Sequence, residues 1–279
     1  MPPDLHIHTA FSRHAKGTME ETVLAAIDKG LTEIGFADHF PYPDGYEEPA
    51  PDCVIPDEET FGMYVSEVER LQRTYRDAIA IRLGVEIDYL PEYTDDIRNR
   101  LKRHRFDYAI GSIHILDGVV VDYREEVLAS HLKQLGGVEG LWERYWRAFE
   151  HFLSLDLFQV VGHLDLPRKF GIAGNPDGSA ETTGRVLNLI RRKGLALEVN
   201  TGGIDRASDR DVYPSRAILK RAIEQDIDIA FGSDAHRPVE VGRYFTKTAA
   251  DLCALGCTRV VSFRKTRKHV YPLEPCDKW

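Results

Sequence analysis

The sequence predicts an α/β protein whose parallel strands could close into a barrel, and three observations support this fold class. Apolar strand-like runs alternate with helix-like segments along the chain, as in strand–helix–strand units built on a parallel sheet. Seven such runs precede an eighth near the C-terminal end. Barrels of roughly 200–250 residues often form one domain. The 279 residues are therefore expected to form a single domain, 1–279.

The first half of the chain begins with the strand-like run 4–9, in which histidines alternate with apolar residues. Thr18 and Glu21 then match a capping box, which predicts the start of a helix that Gly30 ends. The later elements of this half are the strands 33–37, 80–87 and 108–112 and the helices 59–76 and 93–104.

The second half opens with an amphipathic segment rich in aromatic residues, 138–155, which predicts a long helix. Gly194 ends a further helix over 181–193, and Pro214 starts another that continues to residue 225. The other elements expected here are the strands 159–162, 196–200, 228–232 and 258–263 and the helix 246–255.

Composition and charge argue against several classes of protein. The formal net charge of −9 argues against a general nucleic-acid-binding surface, because such surfaces are usually basic. No apolar run approaches the ~20 residues that span a bilayer, and no signal-peptide pattern is present, so we expect a cytoplasmic enzyme with no membrane partner. The scattered cysteines lack paired spacing and are expected to be reduced thiols: Cys53, Cys253, Cys257 and Cys276.

Residues that commonly bind metals stand at the ends of nearly all these strands. Side chains two apart on a strand point to one face, so His6 and His8 form a pair. In a parallel barrel all strand C-termini meet at one face, where active sites lie. The pattern therefore predicts a metal site of imidazoles and carboxylates. Its candidate ligands are His6, His8, His14, His39, Glu86, His114, His163, Asp234 and His236.

These stretches resemble the PHP (polymerase and histidinol phosphatase) metallohydrolases, from DLHIHT at 4–9 to GSDAH at 232–236. Four further stretches are similar to the stand-alone histidinol-phosphate phosphatases of that superfamily: FSRH at 11–14, GVEIDY at 84–89, GHLDLPR at 162–168 and EVNTG at 198–202. The resemblance implies a distorted (β/α)7 barrel, in agreement with the seven strands that precede the last one.

The same resemblance implies three divalent metal ions, and a suitable residue fills every ligand position. The chemistry of the ligands suits Zn, Fe or Mn and does not choose among them. The implied ligand sets are His6, His8, Glu86 and Asp234 for the first ion; Glu86, His114 and His163 for the second; and His14, His39 and His236 for the third.

The resemblance also implies hydrolysis of a small phosphate monoester, L-histidinol phosphate, to L-histidinol and inorganic phosphate in histidine biosynthesis. Metals lower the pKa of bound water from 15.7 towards about 7, which supplies a hydroxide nucleophile. Glu86 can bridge two ions because a carboxylate offers two oxygens, and we expect Glu86, Asp234 and His236 to take part in catalysis. Asp4, Asp38 and Asp165 are candidates for orienting the ligand imidazoles.

Two arginines are candidate phosphate ligands. Arg168 and Arg206 follow consecutive strands at the expected active face, and arginine forms charge-assisted bonds to phosphate. Lys169 is a weaker candidate, and Asp165 is one option for the general acid. The proline-rich segment 40–58 overhangs the same face, either as a lid or substrate wall or as an ordinary insertion.

Two other functions stay open at this point. The chain could be a PHP phosphoesterase that acts on another phosphomonoester, or a catalytically silent PHP module that serves as a binding domain. A silent module should have lost metal ligands, whereas every position is filled here. The sequence does not indicate the oligomeric state.

Overall fold

Strands and helices alternate throughout the computed structural model, which describes residues 1–47, 49–50, 52–174 and 180–274. The strands are Asp4–Ile7 (β1), Glu33–Phe36 (β2), Ala80–Leu83 (β3), Glu86–Asp88 (β4), Ile110–Ser112 (β5), Ile115–Leu116 (β6), Val119–Val120 (β7), Val160–Val161 (β8), Ala196–Asn200 (β9), Asp228–Gly232 (β10), Arg259–Arg264 (β11) and Arg267–Pro272 (β12). The helices are Met19–Asp28 (α1), Glu58–Thr74 (α2), Thr94–Leu101 (α3), Glu125–Leu135 (α4), Gly137–Ser154 (α5), Ala180–Lys193 (α6), Gly203–Arg206 (α7), Arg216–Glu224 (α8) and Phe245–Ala254 (α9).

Parallel strands close into a ring of seven positions, with β3 and β4 sharing one position. β1, β2 and β3 form one parallel sheet, and β4, β5, β8, β9 and β10 form a second. The two sheets meet at two seams. The backbone N–H of His8 donates to Ala235 O at 2.9 Å, and the N–H of Phe40 donates to Glu86 O at 2.8 Å. The ring confirms the predicted distorted (β/α)7 barrel.

The predicted strand 80–87 is interrupted at Gly84, where the buried ring of Tyr108 crosses the barrel interior. A Cβ added to Gly84 or to Gly35 would overlap that ring. The Tyr108 hydroxyl donates to Leu5 O at 2.5 Å, which fixes the ring in this position. Glycine is therefore needed at two neighbouring strands so that one large side chain can fill the interior.

The last predicted strand, 258–263, is confirmed as β11, which belongs to a separate two-stranded sheet and not to the parallel ring. It forms the antiparallel hairpin β11–β12. Val261 and Phe263 of this hairpin pack in one buried cluster with residues of the barrel strands, such as Leu5, Ile110 and Val160. The hairpin therefore closes one end of the barrel.

Around the barrel, the aromatic face of α5 is buried as its periodicity predicts, with Trp146, Tyr145 and Phe149 inaccessible to solvent. The capping box of Thr18 and Glu21 is present at the start of α1. Among the described residues, no helix is both long and apolar enough to cross a membrane. Three cysteines are described and none is disulfide-bonded, whereas Cys276 lies outside the described residues.

Candidate metal centre

Histidines and carboxylates from the strand ends meet at one end of the barrel. The structure brings together all nine donors predicted from the sequence: His6, His8, His14, His39, Glu86, His114, His163, Asp234 and His236. His6 and Glu86 lie within β1 and β4, and the other donors follow the ends of strands or a short 3-10 helix. The cluster exists because parallel strands direct all their C-terminal ends to one face.

Glu86 lies at the centre of the cluster, 1% exposed, and both of its carboxylate oxygens face imidazoles. Oε1 lies 3.0 Å from His163 Nε2 and 3.6 Å from His114 Nε2. Oε2 lies 3.1 Å from His39 Nδ1, 3.4 Å from His6 Nε2 and 3.6 Å from His8 Nε2. One carboxylate that faces two groups of imidazoles has the geometry needed to bridge two cations.

The other donors extend the cluster on the side of His8. His8 Nε2 lies 3.3 Å from Asp234 Oδ1, and the Nε2 atoms of His14 and His236 are 2.8 Å apart. Donor atoms gather within 4.8 Å of one another in these groups: His6, His8 and Asp234; His6, Glu86 and His163; His8, His39 and Glu86; His8, His14 and His236; and His39, Asp88 and His114. These groups match the expected sets only in part: His39 is grouped with His8 and Glu86 and with Asp88 and His114. Its ring also lies 5.4 Å from that of His14, with which it was expected to share an ion.

Unpaired buried atoms provide a test of whether the cluster fits metal ions. His6 Nε2 and Glu86 Oε2 are buried 3.4 Å apart, and neither has a hydrogen-bond partner among the described residues. Burying such atoms without a partner costs free energy. A divalent cation that both atoms could ligate would remove that cost, so the residues fit a metal.

At several positions, the electrostatics of the cluster favour the protonation state that binds metal. Burial raises the pKa of Glu86, but the charges of His6 and His114 hold that pKa well below its usual range. Burial lowers the pKa of His39 and His236 well below the ordinary value, which keeps both imidazoles neutral. A charged carboxylate and neutral imidazoles are the protonation states that bind metal.

Three of the histidines, His6, His8 and His114, instead attract a proton when no cation is present, because nearby carboxylates raise the pKa of each. Burial lowers the pKa of His114, but Asp88 and Glu86 outweigh it and raise that pKa to about 10. Burial likewise opposes protonation of His6, whereas Glu198 and Glu86 raise its pKa well above the ordinary value. A metal ion would replace these protons, because ligands must be deprotonated.

Carboxylates orient two of the imidazoles. Glu198 Oε1 lies 2.6 Å from His6 Nδ1, and Asp88 Oδ1 lies 2.7 Å from His114 Nδ1, so each Nε2 faces Glu86. Sequence reasoning missed both residues. Both residues could have been found from strand alternation, which places side chains two apart on one face. In the EID run at 86–88, Asp88 is two residues after Glu86, and in the EVN run at 198–200, Glu198 is two residues before Asn200.

Asp4, Asp38 and Asp165 were expected to orient ligand imidazoles, but none of them forms a short contact of the kind made by Glu198 and Asp88 among the described residues. Asp38 Oδ1 lies 3.5 Å from His8 Nδ1, a long contact. Asp4 accepts the backbone N–H groups of Ser233 and Gly242, and Asp165 accepts from Arg168 and the Ser215 N–H. The prediction is therefore wrong for Asp4 and Asp165, which hold the loops behind the cluster.

A cavity of about 320 Å³ opens onto the cluster. The segment 40–58 supplies part of its wall through Tyr42, Ala50 and Val54. A larger groove of about 1060 Å³ lies beside the tip of the β11–β12 hairpin, and its described lining includes none of the predicted donors. The smaller cavity is the one that combines binding space with the donor atoms.

The two predicted arginines lie in different surroundings. Arg206 lines the cavity, and its Nη1 donates to Asp234 Oδ2 at 2.6 Å. Arg168 is 3% exposed and lies outside the described lining of the cavity. Its guanidinium donates to Asp165, Asp209 and the backbone oxygen of Val212. Binding of phosphate by Arg168 stays a prediction, and it would require one of these bonds to be exchanged.

Comparison with known proteins gives consistent results. Residues 4–202 match the model of the PHP domain family. A probable histidinol-phosphatase of Deinococcus radiodurans is 34% identical over 94% of this chain and 96% of the relative. The histidinol-phosphatase of Bacillus subtilis is 31% identical over 86% of this chain and 95% of the relative.

A solved structure is also similar. The histidinol phosphate phosphatase of Lactococcus lactis, in complex with zinc, L-histidinol and phosphate, superposes with a TM-score of 0.78 over 96% of this chain and 98% of that chain. Its sequence identity is 22%, so this likeness concerns the fold. The family match over residues 4–202 and the two relatives show that the chain belongs to the PHP domain family.

Proposed function

We propose that this protein is a metal-dependent phosphatase that hydrolyses L-histidinol phosphate to L-histidinol and inorganic phosphate. The observation that carries the hydrolytic part is the complete set of nine donors around Glu86. The substrate is supported by relatives named histidinol-phosphatase that align over nearly the whole chain. The cavity of about 320 Å³ suits a small molecule rather than a polymer.

Three divalent ions, of Zn, Fe or Mn, are proposed to occupy the cluster. His6, His8, Glu86 and Asp234 would hold the first, Glu86, His114 and His163 the second, and His14, His39 and His236 the third. When bound, such ions supply an acidified water and positive charge for the phosphoryl oxygens. Zinc is present in the Lactococcus lactis structure, and the mixed ligands here suit all three metals.

The residues of the chain prepare the site for a phosphate dianion. Glu198 and Asp88 keep the Nε2 atoms of His6 and His114 directed at Glu86. Arg206 and Lys169 line the cavity and add positive charge beside the cluster. We assign the phosphate contact to Arg206, because its side chain is 28% exposed on the cavity wall. Arg168 contributes by fixing the loop that carries Lys169.

The proposal is tested by phosphate release from three substrates: histidinol phosphate, p-nitrophenyl phosphate and a 3′-phosphorylated oligonucleotide. We expect the highest kcat/KM for histidinol phosphate. A higher kcat/KM for either of the others would overturn the assigned substrate and leave a PHP phosphoesterase of different specificity. Absence of phosphate release from all three by metal-loaded protein would favour a silent module instead.

A further inference from the structure

The cavity contains one carboxylate that the metal chemistry does not use. Glu86, Asp88, Asp122 and Asp234 line the described part of the cavity. The other three each have an imidazole nitrogen close by, at 3.0 Å, 2.7 Å and 3.3 Å for Glu86, Asp88 and Asp234. Among the described residues, Asp122 has no imidazole nitrogen within ion-pair distance and pairs with Lys169, whose Nζ lies 3.3 Å from Oδ2.

The backbone holds Asp122 beside the metal donors. The hairpin β6–β7 begins directly after His114, and its register pairs Ile115 with Val120. The N–H of Val121 donates to His114 O at 2.9 Å. The next residue is Asp122, whose side chain is 22% exposed into the cavity. Its distance from the metal cluster is therefore set by the same hairpin that carries a predicted ligand.

Asp122 and Lys169 place opposite charges on one wall. The Lys169 ammonium donates to the backbone oxygen of Asp122 at 2.6 Å and, more loosely, to its carboxylate. Lys169 and Arg206 are the two permanently cationic side chains on the described lining. A substrate that is anionic at one end and cationic at the other could replace the contact between Asp122 and Lys169 with one contact to each of them. Its phosphate would meet Lys169 and Arg206, and its cation would meet Asp122.

We propose that Asp122 is the subsite for a positively charged organic group of the substrate, and thus a determinant of specificity. Tyr42, Tyr123 and Val120 also line the cavity, and their apolar and aromatic surfaces suit a small ring attached to that group. This inference rests on the proposed function, because histidinol phosphate carries an ammonium group near its phosphate ester. It adds a reason for the enzyme to prefer such a substrate over a simple monoester.

The test compares histidinol phosphate with 3-phenylpropyl phosphate, an alkyl ester of the same chain length that has no positive charge. Asp122→Asn keeps the side-chain size and removes the charge. We expect kcat/KM for histidinol phosphate to fall roughly ten- to a hundred-fold, as for loss of a charge-assisted contact. For the neutral ester the change should stay within about threefold, because that ester does not use the carboxylate.

The matched control is Asp117→Asn, which lies in the turn of the same hairpin and pairs with Arg144 on the surface at 2.7 Å. It should leave both activities unchanged. A second measurement is inhibition of neutral-ester hydrolysis by L-histidinol, which should weaken in Asp122→Asn by a similar factor. Elemental analysis should give equal metal content in all three proteins.

The outcomes separate the two proposals. An equal fall in kcat/KM for both esters, or unchanged histidinol phosphate kinetics in Asp122→Asn, would overturn the cation subsite and leave the proposed function intact. If the unmodified enzyme hydrolyses 3-phenylpropyl phosphate with the higher kcat/KM, the proposed function itself is wrong, and the subsite is wrong with it.

Discussion

At the scale of single residues, Glu86 connects the two halves of the candidate centre. Its oxygens face five histidines. Because Glu86 is buried from solvent, a negative charge there without a cation would cost free energy of folding. Glu86→Gln keeps the shape and removes the charge. We predict loss of bound metal and a fall in kcat of at least ~100-fold, in line with changes at metal ligands.

Elemental analysis and steady-state kinetics measure both effects for Glu86→Gln. Glu92→Gln, at an exposed glutamate six residues along the chain, is the matched control and should behave as wild type. Normal metal content together with a normal rate in Glu86→Gln would show that Glu86 is not a ligand.

Arg206 is the arginine that we expect to contact phosphate. It lines the cavity beside Asp234 and His236, with Nη1 at 2.6 Å from Asp234 Oδ2. Arg206→Ala should lower kcat/KM roughly ten- to a hundred-fold, since a charge-assisted bond contributes about 1.5–3 kcal/mol. Kinetics are measured beside metal content, which is expected to stay unchanged because Asp234 retains His8 as a neighbour. Wild-type kinetics would place the phosphate contact elsewhere.

Arg168 is expected to act mainly on stability. Its guanidinium bonds to Asp165, Asp209 and Val212 O, and Asp165 is fully buried. Arg168→Ala leaves that carboxylate without its cation, so the free energy of unfolding should fall by about 3 kcal/mol. Denaturant unfolding measures this. A fall in kcat/KM with unchanged stability would instead support the direct phosphate contact predicted from the sequence.

At the scale of elements, the C-terminal hairpin has a structural task remote from the candidate centre. Phe263 is 3% exposed and packs with Tyr108 at the closed end of the barrel. Phe263→Ala should lower the free energy of unfolding by about 3 kcal/mol through lost burial and a residual cavity. Val270→Ala on the partner strand, where Val270 is 58% exposed, should cost less than about 0.5 kcal/mol.

Urea unfolding of Phe263→Ala and Val270→Ala tests this role of the hairpin. Turnover by the folded fraction of each variant should equal that of the wild type. A loss of metal or of turnover in folded Phe263→Ala would show that the hairpin supports the centre directly.

Elements were predictable from the sequence where periodicity and burial agree. The strands 196–200 and 228–232 match their predicted bounds, because both are mostly apolar and lie in a buried parallel sheet. β12 was missed because its six residues are largely exposed and carry no alternation. The hairpin β6–β7 was missed because strands of two residues leave no pattern. The break at Gly84 depends on Tyr108, whose position no local pattern reveals.

At the scale of the whole molecule, barrel closure explains why the candidate centre could be foreseen. His6 and Asp234 are far apart in sequence, yet the bond from His8 N–H to Ala235 O joins the first and last barrel strands. Closure gathers strand ends regardless of what lies between them. Strand alternation alone does not predict that Glu198 and Asp88 orient imidazoles or that Arg168 is buried. These features depend on how the loops pack against one another.

The central claim is that the donors around Glu86 hold divalent metals on which hydrolysis of histidinol phosphate depends. Its most direct test is to strip the protein with a chelator, verify that it is metal-free, and titrate Zn, Mn or Fe(II) back while following histidinol phosphate turnover and bound metal together. The account predicts no turnover by the metal-free protein. Turnover should then rise as metal is added and reach its maximum when about two to three ions are bound per chain. Full turnover by verified metal-free protein would contradict it.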